Sequence, residues 1–188
     1  MDLYFECTNG ISGDMAVAAL LDLGASREKL EKALKSLNLE DEFSYKISTV
    51  SKNSIRATDF DVVLPQNHTG RDSEIDNKSH HHHTHRNLDE ICKILETVDA
   101  DENVKNLSKK IFKIVAEAEA KVHQKPLQDV HFHEIGAIDS IADILAFSTL
   151  FCDLNPENVY FSALGEGMGS IACQHGILPV PVPAVCEI

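Results

Sequence analysis

Residues 2–24 read DLYFECTNGISGDMAVAALLDLG. A short strand, residues 2–7, runs into a polar turn from Thr8 to Asp14 that carries Gly10 and Gly13. Met15, Val17, Ala18, Leu20 and Leu21 then make a buried helix, with Gly24 placed to end it as a left-handed C′ residue. Strand, glycine turn, helix is the opening of an α/β protein. Ser26 suits the cap of a second helix, because Leu30, Leu34 and Leu37 recur at helical spacing. Residues 43–50 and 55–64 alternate apolar and polar, with Lys52-Asn53 between them, which predicts a β-hairpin.

Helical patterns return at 88–98 and 102–123, where Val104, Leu107, Ile111, Ile114, Val115 and Ala118 form an apolar stripe. Residues 127–134 connect to a strongly apolar helix over 138–151, which Pro156 closes off. A strand follows at 158–164. Gly165, Gly167 and Gly169 loosen the chain after it, and the last stretch, HGILPVPVPAVCEI, reads as extended. The expected class is α/β with mixed strands, a mixed sheet packed with helices. Residues 1–64 form a strand-helix-helix-hairpin part. Residues 87–188 form a helical part with the start of further strands, in one domain with 1–64. Between them, 65–86 is polar, lacks periodicity and holds six of the ten histidines, so it reads as a mobile His-rich loop. The chain stops without an obvious closing element, which suggests that the natural protein continues.

The bulk properties exclude several classes. The formal charge of −13 argues against a nucleic-acid binder, which needs clustered Lys and Arg. No stretch approaches the ~20 apolar residues needed to span a bilayer. The N-terminus has no basic region followed by an apolar run, so no signal peptide is expected. Five cysteines (Cys7, Cys92, Cys152, Cys173 and Cys186) stand far apart without a CxxC pair. They fit a reducing compartment, hence the cytoplasm, better than a disulfide framework.

Four motifs carry chemistry. The run His80, His81, His82, His83 and His85, with His68 upstream, offers neutral imidazoles suited to nickel, zinc or copper. It is internal, unlike a terminal tag. Supply of metal suits it better than catalysis, which needs rigid placement. An accidental low-complexity loop is the plain alternative. In Val130-His131-Phe132-His133-Glu134, an extended backbone points His131 and His133 to one face, with Glu134 adjacent. Metal binding, acid–base work and ordinary structural hydrogen bonding all remain open there. Asp139 and Asp143 share a helix face. Asp139 could merely cap its helix, whereas Asp143, among Ile141, Ala142, Ile144 and Leu145, needs a partner.

The turn at Gly10, Ser12, Gly13 and Asp14 could cradle a phosphate with backbone N–H groups, though it lacks a full P-loop pattern. Asp14 could cap the helix or hold a cation. Gly165, Gly167 and Gly169 permit close approach of a ligand or simply form a flexible turn. His175, in the extended stretch, is a further candidate ligand. A zinc hydrolase built on His131 and His133 would lack the HExxH helix spacing.

These motifs together resemble the LarC family: YFEC through GISGDM, the internal His run, VHFHEIGAIDSIAD at 130–143, and HGILPVP at 175–181. The resemblance runs in order along essentially the whole chain, and the 130–143 stretch is its most specific part. It implies a nickel-insertion protein, a CTP-dependent cyclometallase of the lyase class. Such proteins place nickel in pyridinium-3,5-bisthiocarboxylic acid mononucleotide, the precursor of the lactate racemase nickel-pincer cofactor. It also implies that this chain is an N-terminal portion. The family's C-terminal domain, which is associated with CTP and a divalent cation, is not in this sequence. Expected partners are that domain, the pincer mononucleotide, the lactate racemase apoprotein and a second copy in a homo-oligomer. The alternative is a nickel reservoir or metallochaperone. On this reading His131, His133 and Glu134 are the catalytic candidates. Gly10, Ser12, Gly13, Asp14, Gly165, Gly167 and Gly169 would bind the phosphate. His131, His133, Asp139, Asp143 and His175 would hold metal, with His68, His80, His81, His82, His83 and His85 supplying it.

Overall fold

The computed structural model describes residues 1–65, 86–130, 132, 138–173 and 175–188. Its centre is helix α5 (Ile138–Leu154), whose Ile138, Ile141, Ala142, Leu145, Ala146, Ser148, Thr149 and Leu150 are all buried. A helix apolar on nearly every side must be covered on nearly every side. Helices α1 (Gly13–Asp22), α2 (Arg27–Lys35) and α4 (Glu102–His123) pack around it.

Strand β1 (Asp2–Phe5) pairs in parallel with β4 (Asn158–Phe161), Leu3 opposite Val159. Phe5 and Phe161 stack at 5.0 Å. Strands β2 (Ser44–Lys52) and β3 (Ile55–Val63) form an antiparallel hairpin beside α1. Strands β5 (Gly169–Cys173) and β6 (Gly176–Val180) form a second hairpin. Parallel and antiparallel pairing both occur, so the α/β class expected from the sequence holds. Among the described residues the strands group into three two-stranded sheets.

Local signals account for most boundaries. Ser26 caps α2 by accepting from the Lys29 N–H, and Gly24 takes a φ of +100° after α1. Helix α3 (Leu88–Thr97) starts with a capping box between Asn87 and Glu90. Two polar ties fasten the layers. The Asp22 carboxylate accepts from the Thr58 N–H at 3.0 Å and its hydroxyl at 2.6 Å, joining α1 to β3. The Asp153 carboxylate accepts from the Ser26 N–H at 2.7 Å and pairs with Lys29 at 2.7 Å, joining α5 to α2. One core cluster runs from Leu3 through Leu20, Leu34, Phe60, Ile91 and Phe112 to Leu150.

Three expectations need correction. The hairpin turn is Asn53-Ser54, both at positive φ (51° and 65°), one residue later than the sequence suggested. A turn with two left-handed central residues matches the strand twist. The buried stripe of α4 is Val104, Ser108, Phe112, Ala116 and Ala118, while Ile114 is exposed. The small side chains of Ser108 and Ala116 lie on this inner row, and α5 packs on the same helix. The last residues are not extended throughout: Pro183 opens a short helix, α6 (Pro183–Glu187), because its fixed φ suits a first helical position. Among the described residues, no helix is long and apolar enough to cross a membrane.

Candidate functional site

The turn after β1 and the glycine stretch after β4, far apart in sequence, lie against each other. The Cys7 carbonyl accepts from the Gly10 N–H at 3.0 Å and from the Gly165 N–H at 2.8 Å. A Cβ on Gly165 would stand 2.1 Å from the Thr8 carbonyl oxygen, and one on Gly10 would stand 3.3 Å from the Gly165 carbonyl oxygen. Glycine is therefore a steric requirement where these backbones cross. Both N–H groups are committed to the Cys7 carbonyl. Gly167 packs near Val180, and Gly169 takes a φ of +108° with open space around it.

Directly behind that first turn stands Asp143 of α5. A Cβ on Gly13 would meet the Asp143 Oδ2 at 2.6 Å, so the missing side chain of Gly13 is what admits the carboxylate. Among the described residues the buried Asp143 Oδ1 has no hydrogen-bond partner. Burial pushes the Asp143 carboxyl up to about 6, with Asp14, Asp139 and Asp61 adding like-charge repulsion. Asp14, exposed in the first turn of α1, binds the Ser12 hydroxyl and accepts from the Met15 N–H at 2.8 Å. Asp139, one helical turn before Asp143, accepts from the Ser140 N–H at 2.8 Å. Asp61 reaches the cluster from β3, a contribution the sequence reading missed because nothing in the hairpin alternation marks it.

A half-buried carboxylate among other acids, with one oxygen unpartnered among the described residues, is set up to gain from a cation. The donors seen here are all oxygen, which alone favour hard ions such as magnesium. Among the described residues no three His, Cys, Asp or Glu side chains already form a metal cage. His131, His133 and Glu134, and the loop histidines His68, His80, His81, His82, His83 and His85, lie outside the described residues. His175 is at the tip of the β5–β6 hairpin, with its ring 5.0 Å from that of His123. A cleft of about 210 Å³ lined by Lys29, Asp99, Asp101, Cys152 and Asp153 does not include this site; the Lys29–Asp153 and Lys32–Asp99 pairs lie along it.

Residues 3–188 match the family described as nickel insertion protein. The chain belongs to that family. It is 48% identical over 99% of its length to the pyridinium-3,5-bisthiocarboxylic acid mononucleotide nickel insertion protein of Acetivibrio thermocellus, covering 44% of that protein. It is 49% identical to the protein of the same name from Alkaliphilus metalliredigens, covering 45% of it. A putative nickel insertion protein of Dictyoglomus thermophilum is 41% identical. The chain thus spans less than half the length of these relatives. No solved structure matches it. The family resemblance drawn from the motifs is borne out.

Proposed function

We propose that this chain is the N-terminal part of a CTP-dependent nickel cyclometallase of the lyase class. Its substrate is pyridinium-3,5-bisthiocarboxylic acid mononucleotide, and its product is the nickel-pincer cofactor of lactate racemase. The observation that carries this reading is the Asp143 carboxylate beside the Gly13 turn, its Oδ1 without a hydrogen-bond partner among the described residues, in a chain whose relatives are named for this insertion.

Nickel is the cargo. Asp143 and Asp139 would receive it through oxygen, and His131 and His133, a few residues before α5, would add the nitrogen donors that a borderline ion prefers. Imidazoles can then yield the ion to the two thiocarboxylates of the substrate. Forming the carbon–nickel bond breaks a carbon–hydrogen bond of the pyridinium ring, and the proton passes to His131, His133 or Glu134 as base. The substrate phosphate would rest on the N–H groups opening α1, near Ser12, Gly13 and Asp14, with Gly167 and Gly169 bordering it. Gly10 and Gly165 would shape that turn. CTP with its divalent cation would bind in the further domain of the longer relatives. The work would take place in the cytoplasm, and the product would pass to the lactate racemase apoprotein.

The test combines this chain with the remaining portion of a family member, Ni²⁺, CTP and the pincer precursor. Nickelated mononucleotide is the expected product. His131→Ala and His133→Ala variants that both keep full activity would remove these residues from the chemistry. A second reading, a nickel reservoir without catalysis, is favoured by the run His80–His83. It requires that deleting residues 68–85 abolish most nickel uptake, and it fails if stoichiometry is unchanged.

A further inference from the structure

We infer that His123 and His175 form a two-imidazole site for a divalent transition ion, with Glu119 orienting His123. This site is separate from the acid cluster, and it stands whether or not the nickel-insertion reading does. His123 is the last residue of α4, and His175 lies in the turn between β5 and β6, 52 positions further on. Their ring centroids are 5.0 Å apart, with planes tilted by 45°, so the rings do not stack face to face. A metal–nitrogen bond of about 2.1 Å places a ring centre roughly 3.2 Å from the ion. Two such rings then lie about 4.5 Å apart at a right-angled ligand geometry and about 5.2 Å apart at a tetrahedral one. The observed separation falls between these values.

Glu119 supplies the independent support. It stands one helical turn before His123, and its Oε2 is 3.3 Å from the His123 Nε2. A carboxylate within reach of Nε2 favours a proton on that nitrogen, which would leave Nδ1 for an ion, the usual arrangement behind a metal-bound imidazole. Glu119 and His123 are 22% and 29% exposed, enough for an ion to enter from solvent. The hairpin and α6 follow one another directly, and α6 packs on α4, where Lys121 pairs with Glu187. Both partners of the proposed site are therefore carried on elements anchored near one end of α4. Among the described residues the site supplies two imidazoles, and the other coordination positions would fall to water or further donors.

Calorimetric titration of the full chain with Ni²⁺, in a background where the histidines at 68, 80–83 and 85 are serine, tests this. His123→Ala and His175→Ala should each remove the same single equivalent, and the double variant should remove no more than either alone. Glu119→Gln should keep the equivalent but weaken it about tenfold. Circular dichroism spectra matching the parent confirm that the variants fold. In parallel, Co²⁺ should shift ring protons of both histidines in the parent chain. Unchanged stoichiometry in both single variants, loss of two equivalents in the double, or a Co²⁺ shift confined to one ring would overturn the proposal.

Discussion

At the scale of single residues, Asp143 sets the terms. Its folded value of about 6 lies above the ordinary 3.8. Between those pH values the folded chain holds a proton that the unfolded chain has released. The stability this adds is fully present below about pH 4 and is lost as pH rises through 6. Asp143→Asn should therefore remove that loss of stability between pH 4 and 6 and raise stability at neutral pH by about 1 kcal/mol, discounted because the residue is only partly buried. Chemical denaturation from pH 4 to 8 measures both. Gly165→Ala makes the opposite case. Its Cβ would have to occupy space 2.1 Å from the Thr8 carbonyl oxygen, and a loss of about 3 kcal/mol or failure to fold is expected in the same assay. The sequence exposed these residues as candidates but not their relation. Two acids four apart on a helix are visible from spacing; that Gly13 makes room for one of them, and that Gly10 and Gly165 share the Cys7 carbonyl, depends on contacts across more than 120 positions. His123 went unnoticed because its signal, a Glu119–His123 pair at helical spacing, acquires meaning only once His175 is brought against it.

At the scale of elements, helices were the legible part. Caps at Ser26, the stop at Gly24 and the apolar run of α5 fix local structure with local chemistry. The face of α4 was legible in part, since Val104 and Ala118 are buried as expected, but its apolar residues cover more than one stripe and packing against α5 selects among them. The selected row buries the Ser108 hydroxyl without a hydrogen-bond partner among the described residues. Ser108→Ala should accordingly be neutral or stabilise by up to about 1 kcal/mol, since it removes an unsatisfied polar atom. Phe112→Ala, on the same row and fully buried against Phe132, should cost about 3–5 kcal/mol. Thermal unfolding of the two variants separates the accounts: equal losses would mean that α4 is not seated as described. Arg86 anchors a further element, holding both Glu42 carboxylate oxygens at 2.8 and 2.6 Å just before α3. The terminal helix α6 escaped the sequence reading because three prolines suggest extension, although one of them is well placed to begin a helix.

At the scale of the whole molecule, the parallel β1–β4 pair and helix α5 bring the start of the chain against residues 138–165. The turn after β1 meets Gly165 there, and Gly13 meets Asp143 of α5. The most direct measurement is the rate at which nickelated pincer mononucleotide forms when this chain, with and without Asp143→Asn, is supplemented with the rest of a family member, Ni²⁺ and CTP. The substitution keeps the shape beside Gly13 and removes the charge. A fall of about 100-fold or more in a variant that is at least as stable as the parent is the predicted result. A rate within twofold of the parent would contradict a role for this carboxylate in handling the metal.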